Sequence, residues 1–436
     1  MGSRFSRLLS GPLFFAATNV GAAAFGFALV PLLSRSLDSG SFAVWALCES
    51  AWLLSGQLLQ LGLGNGAIMQ VSSGRHPWRQ VYRAHAHVLR WIILVGGACA
   101  ALIALYLGQP GIALAIALNV AMEGAVTYQT YAARSAGLQG LYAALTAGRA
   151  LLVVGAVGLV ASMGPADSTL RLQWMLLARA LCGAAIVVPC HVYCLRGSLR
   201  TDVDRRLVGD AIRFGVPMAV SGVLLFAQEG LVRSGLASLI SAEAVERYYV
   251  HAKCVSIAGT FIVAPVGLWW GPQRFRLASQ GQDVLERGAR VALRRSLLIY
   301  AVLLGCMAVA LPELIAVFGP RVRPDIAMIA LLAVPPAAQL VATLTNAGLM
   351  QPGQTHSLAW VQFGGLALLS AGIVPAATVL GVVGVCAAAA VSAVVVAFWT
   401  ARGSLRRLPL NYQLIPSISV ATLVMAITLG AAGMLR

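Results

Sequence analysis

The sequence predicts an all-α polytopic membrane protein with about 13 transmembrane helices, and three observations carry that prediction. Between Ile326 and Ala401 the chain runs for 76 residues without an Asp, Glu, Lys or Arg. About 20 apolar residues make one helical span, so this stretch holds three, with turns expected near 351–355 and 375–378. Hydrophobic residues make up 59% of the whole chain and charged residues only 10%, where a water-soluble domain carries about 25% charge; mean hydropathy is +0.83. Finally, the charges that remain fall in short loops between apolar runs, so the net charge of +17 speaks for topology and not for a nucleic-acid surface.

Apolar runs of spanning length lie near 11–33, 41–69, 86–108, 110–132, 141–162 and 172–195. A second set lies near 211–234, 245–270, 292–312, 325–350, 357–375, 379–400 and 415–434. Lipid forces each into a helix, because every backbone amide must be satisfied within the span. Pro217, Pro265 and the Pro335-Pro336 pair are tolerated for the same reason and mark expected kinks. The first run follows Arg4 and Arg7, as in a signal peptide, but has no clean small-residue cleavage site and reads as an uncleaved span.

Arginine placement sets the orientation. With a cytoplasmic N-terminus, inner loops and their edges hold 21 arginines and outer ones seven, as the positive-inside rule requires; thirteen spans then put the C-terminus outside. The polar stretch 196–210 divides the core into an N-terminal six-helix lobe (1–195) and a C-terminal six-helix lobe (211–402), leaving an additional transmembrane helix within 403–436. An offset of 203 residues sets Phe42, Trp45 and Gly64 against Val245, Tyr248 and Gly267, a match little better than chance alone, although duplicated halves are common in secondary transporters.

Several function classes recede. No external loop exceeds roughly 15 residues on this reading of the spans, which disfavours membrane transferases and ligases, whose catalytic residues sit on larger loops. No GxxxxGK[ST] motif supports direct ATP coupling. The chain is read as a non-enzyme with no cofactor. All eight cysteines lie in apolar segments and read as buried free thiols. Cys190-His191-x-x-Cys194 lacks the second ligand pair that a closed zinc site needs, so no metal is expected.

Seven charges sit within or at the ends of spans where topology does not ask for them: Glu49, Glu123, Arg149, Arg179, Glu229, Arg233 and Lys253. Intramembrane charges are costly and by default mark function. Glu123 and Arg149 fall at similar depth on antiparallel neighbours; they read either as a structural ion pair or with Arg149 turned to an anionic head group. Glu229 and Arg233, four apart, share a helix face with Gln228 nearby. Lys253, the single lysine beside thirty arginines, and Glu49 each lie about eight residues from the outer surface. Structural pairing, substrate or ion contact, and snorkelling are all open for this outer group. Arg179, about seven residues in, snorkels or meets substrate. His251 is a packing residue or a proton-coupling group. Asn19, Gln57, Gln60 and Asn65 give the first two helices a polar seam, from helix–helix hydrogen bonding or a hydrated path.

Leu33-Ser-Arg-Ser-Leu-Asp-Ser-Gly-Ser-Phe-Ala-Val-Trp45, followed by Leu61-Gly-Leu-Gly-Asn-Gly-Ala67, resembles the first hairpin of polysaccharide flippases. Those are the O-antigen and exopolysaccharide transporters of the multidrug/oligosaccharidyl-lipid/polysaccharide (MOP) superfamily. Phe214-Gly-Val-Pro217 is similar to the motif that opens their second lobe. Tyr249 to Lys253 and Ala264-Pro-Val-Gly-Leu-Trp-Trp-Gly-Pro272 look like their eighth helix. Gln228-Glu-Gly-Leu-Val-Arg233 departs from the family's Asp-Arg segment. The resemblance spans helices one to twelve and is loose as to substrate; the thirteenth helix departs from the usual counts. It implies a V-shaped, bilobed carrier whose helices one, two, seven and eight line a cavity. Such a carrier would move a lipid-linked anionic glycan, a polyprenyl-pyrophosphate oligosaccharide, to the outer leaflet. Its partners would be membrane lipids and the polysaccharide polymerase and glycosyltransferase machinery, not nucleic acid. An ion-coupled multidrug or small-solute antiporter is the second reading, and a membrane-embedded glycan transferase or ligase the third.

The orientation is testable by labelling single cysteines placed at Ser168 and Ser198 in a cysteine-free chain. Ser168→Cys should react from outside and Ser198→Cys from the cytoplasm; labelling of Ser168→Cys from the cytoplasm alone overturns the assignment.

Overall fold

The computed structural model describes residues 12–72, 76–106, 108, 110–195, 204–278, 280–350, 356–413 and 418–419. Its helices are α1 Pro12–Ser36, α2 Ser39–Leu59, α3 Leu63–Ser72, α4 Trp78–Tyr106, α5 Pro110–Ser135, α6 Gln139–Met163, α7 Ser168–Leu195, α8 Arg205–Leu239, α9 Ala242–Ala278, α10 Gln282–Phe318, α11 Ile326–Thr345 and α12 His356–Arg407. Among the described residues ten helices are long and apolar enough to cross a membrane, and eleven when the bent pair Gln282–Met307 and Val309–Phe318 counts as one. The chain is therefore an all-helical, multi-pass membrane protein. The expected thirteenth span, 415–434, lies outside the described residues apart from Ile418 and Ser419, as do Arg4, Arg7 and the linker residues 196–203.

Helix α12 holds 52 residues, about 78 Å at the α-helical rise against a hydrocarbon core of about 30 Å. It must cross twice, and it folds back at Gly381, whose φ of 59° falls where only glycine sits without steric cost. This corrects the turn expected at 375–378. Proline fixes φ at a helical value, so the helix continues through Pro375 and breaks at the glycine. Pro217, Pro335 and Pro336 likewise sit inside continuous helices. Several helices outrun their apolar runs, α10 by ten residues at its N-terminus, because hydropathy marks the length in lipid and not the length of the helix.

The chain folds as two compact units, Ala24–Leu231 and Met1–Ala23 with Val232–Arg436. In the first, a core of Leu63, Ala67, Val81, Tyr82, Leu89, Tyr128, Cys194, Leu207, Val208 and Ala211 joins α3, α4, α5, α7 and α8. The run expected as one helix over 41–69 is broken: Leu61 (φ 44°) and Gly62 (φ 75°) take left-handed backbone, separating α2 from α3. Here the chain meets α8 backbone to backbone, since a Cβ on Gly215 would fall inside the Gly62 carbonyl and one on Gly66 would overlap Ala211. Gln70 Nε2 donates to the Leu207 carbonyl at 2.7 Å a little further along. Glycines of two sequence motifs, 61–67 and 214–217, thus face each other. Deeper in, Asn119 and Gln129 on α5 donate to the Leu176 and Val187 carbonyls of α7, the kind of interhelical bond that lipid favours.

In the second unit α9 packs on α10 and α11, and α11 on α12. Tyr300 donates to the Ala333 carbonyl at 2.8 Å, Gly348 N–H to Ser404 Oγ, and Ser392 to the Gly365 carbonyl across the α12 hairpin. Five of the eight cysteines are buried free thiols; Cys182 is half-buried, and Cys99 and Cys306 are exposed, an outcome the lipid-facing sides of α4 and α10 permit because a thiol is apolar enough for either environment.

The glycine contact predicts a contrast along one helix. Gly215→Val should lower thermal stability in detergent by about 1–3 kcal/mol through overpacking. Gly209→Ala, six residues earlier with open space at its Cβ, should be neutral or slightly stabilising. Equal effects at the two positions would discount the contact.

Candidate functional site

The charges singled out in the sequence gather into three groups. The first lies in the Ala24–Leu231 unit, where α5, α6 and α7 each present one side chain. Glu123 Oε2 accepts from Arg149 Nη2 at 2.6 Å and from Arg179 Nη2 at 2.8 Å. Arg179 Nη1 also donates to Asn119 Oδ1 at 2.5 Å, and its guanidinium stacks 3.8 Å from the Trp52 ring of α2. Glu49, three residues before Trp52, adds its negative field at Arg179. Two cations and two anions balance in a space that water reaches little, which is how buried charge survives at all. Immediately before Arg149 the α6 backbone opens into a π-turn, Ala144–Gly148, and Arg149 N–H reaches back five residues to the Ala144 carbonyl. Such turns concentrate at functional positions.

Arg179 departs from the snorkelling reading. Helix α7 starts at Ser168, one turn before the expected 172, and the Arg179 guanidinium is turned inward onto Glu123. Asn119 and Trp52 were missed in the sequence. Asn119 lies four residues before Glu123, one turn earlier on the same face, and that spacing was the available signal.

A second group lies in the other unit. Arg233 is 1% exposed, with its guanidinium 5.0 Å from the Tyr249 ring. Lys253 Nζ lies 5.1 Å from the same ring. Tyr249 and Lys253 are one turn apart on α9, so a single aromatic ring serves two cations from two helices; each such contact is worth about 0.5–2 kcal/mol. Gln228 and Glu229, half-buried and about one turn earlier on α8, belong to the Ala24–Leu231 unit.

The third group surrounds His251. Its Nδ1 lies 2.7 Å from the Arg247 carbonyl and its Nε2 3.0 Å from the Asp325 amide. Arg247 Nη2 pairs with Asp325 Oδ2 at 2.5 Å, while Asp325 Oδ1 caps α11 by accepting from Ala327 and Met328. Asp325 too was missed, although an aspartate directly before a long apolar run is an N-cap signature. At the other histidine of interest, His191, Nδ1 meets Tyr82 Oη at 2.8 Å, and among the described residues no three His, Cys, Asp or Glu side chains converge to hold a metal.

No family model matches the chain, and no curated protein sequence does. Solved structures do. An inward-facing multidrug resistance MATE family transporter of the MOP superfamily superposes with a TM-score of 0.60 at 14% identity, over 89% of this chain and 94% of that one. A variant of the Vibrio cholerae MATE transporter VcmN gives 0.60 at 15% identity, over 92% and 98%. VcmN in its bent form gives 0.57 at 16% identity over the same shares. The fold of this chain is that of the MATE transporters of the MOP superfamily, along nearly its whole length.

The first group predicts unequal costs. Arg179 has Glu123, Asn119 and Trp52 to lose, and Arg149 has the ion pair with Glu123. Arg179→Gln should therefore destabilise the folded chain more than Arg149→Gln. Double-mutant cycles of each with Glu123→Gln should give coupling energies of about 0.5–3 kcal/mol. Strict additivity in detergent melting would mean that the carboxylate does not hold the arginines.

Proposed function

We propose that this chain is an inner-membrane flippase that carries a polyprenyl-pyrophosphate-linked oligosaccharide from the cytoplasmic to the outer leaflet by alternating access, in surface polysaccharide synthesis. The observation that carries the reading is the Arg233–Tyr249–Lys253 group. Topology asks for no cation on these stretches of α8 and α9, and the chain's single lysine is one of the two. A pyrophosphate head leaving water loses a large hydration energy, and charge-assisted hydrogen bonds from Arg and Lys offset part of it. Tyr249 gathers the two cations, one from each helix, at a single ring. In this reading Arg233 and Lys253 contact the head group, while Glu123, Arg149, Arg179 and Glu49 form the structural pairing of the first lobe.

An ion-coupled multidrug antiporter is the alternative, favoured by the fold neighbours, which include multidrug transporters. The two readings part on charge, since a cationic drug would be repelled by the pair that a pyrophosphate needs.

Purified chain in liposomes should move a fluorescent polyprenyl-pyrophosphate oligosaccharide between leaflets. The double variant Arg233→Gln/Lys253→Gln should insert normally, because removing charge from a span lowers its insertion cost, yet slow the movement by about tenfold or more. Unchanged glycan movement in the folded double variant removes both residues from the mechanism. Proton-driven uptake of a cationic dye with no glycan movement replaces the flippase by the antiporter.

A further inference from the structure

The connection 319–325 between α10 and α11 is fastened to one face of α9 at three points. A Cβ on Gly319 would lie 2.9 Å from Val250, so the connection starts in contact with the helix. Arg321 Nη2 pairs with Glu246 Oε1 at 2.8 Å, and Asp325 pairs with Arg247 while its amide meets His251. Residues 246, 247, 250 and 251 follow helical spacing and share that face. Van der Waals contact and the Arg–carboxylate pairs hold over a wide pH range. The His251 bond differs in kind.

Both partners of the His251 ring have fixed roles. The Arg247 carbonyl can only accept, so Nδ1 must carry a hydrogen and donate to it. The Asp325 amide can only donate, so Nε2 must offer its lone pair. Only the neutral Nδ1–H tautomer satisfies both. Adding a proton to Nε2 sets one N–H against another and removes the bond to the amide. The Asp325 carboxylate puts a negative charge beside the ring, but its Oδ1 caps α11 and its Oδ2 binds Arg247. A carboxylate rotated to meet the new N–H gives up the geometry that serves the cap and the ion pair. The charges acting on His251 are those of Arg247 and Asp325. Cys386 of α12 also faces that pair, Glu246 and Arg321 pair with each other beside it on the same face, and α11 itself carries no charged residue.

We infer that His251 is an acid-sensitive latch: neutral, it holds the N-terminus of α11 to α9, and protonated, it releases the 319–325 connection. On the orientation expected from the arginines this connection lies outside the membrane, so the latch reports the pH of the outer compartment. The inference does not depend on what the protein transports.

Hydrogen–deuterium exchange of the full chain in detergent, corrected for the intrinsic pH dependence of exchange, tests it. Between pH 7.5 and pH 5 the amides of 319–328 should lose protection by up to about tenfold, the worth of one buried hydrogen bond. Peptides from the middles of α9 and α12 should not change. His251→Gln keeps a donor and an acceptor without titrating and should stay protected at both pH values; His251→Phe should be unprotected at both. A flat wild-type profile, or a pH response that persists in His251→Gln, overturns the latch. Should both variants lose protection along the whole chain, the wild-type profile decides: acid loss confined to 319–328 supports the latch, and uniform loss refutes it.

Discussion

Hydrocarbon offers a peptide group no hydrogen bond and a charge no solvation, and most of this molecule follows from those two refusals. The first makes every crossing a helix whose amides are closed within it, so prolines that would break a soluble helix lie inside α8, α11 and α12 without ending them. The second makes buried charge find its counter-charge among neighbouring helices. Glu123 illustrates the outcome: its one carboxylate oxygen draws guanidinium groups from α6 and α7, and Asn119 and Trp52 satisfy what remains of Arg179.

Charge is handled differently in the two units. Around Glu123 it is cancelled locally, which ties four helices together and leaves little field for a passing molecule. Around Tyr249 two cations converge on one aromatic ring, whose quadrupole attracts them while contributing no formal charge. An anion arriving at Arg149 or Arg179 would have to displace a carboxylate from both. At the ring, the contact itself sets no negative charge in competition with the anion. On the proposed reading, the first group is structural and the second meets the anion.

Much of the architecture was legible because lipid writes it in composition. Twelve apolar runs met helices, and the matched depths of Glu123 and Arg149 were visible from helix direction and rise alone. What escaped was set by contacts and not by hydropathy. The α2–α3 break at Leu61–Gly62 depends on the approach of Gly215, more than 150 residues away in sequence. Arg179 turns inward because Glu123, Asn119 and Trp52 on neighbouring helices receive its guanidinium, which no search for apolar runs can see. Asp325 and Asn119 were passed over since one stands at the very end of a span and the other carries no charge, yet both complete the hydrogen bonding of residues that were chosen.

The wide turn at Ala144–Gly148 has a bearing on ancestry. A π-turn is what a single inserted residue leaves in an α-helix when the helix on either side keeps its original facing. Helix α6 therefore carries one residue more than a regular helix joining the same two ends, and Arg149 is the first residue beyond the surplus. A related chain lacking that residue would align with a one-residue gap between 144 and 148, and would present its next side chain to Glu123 from a regular helix.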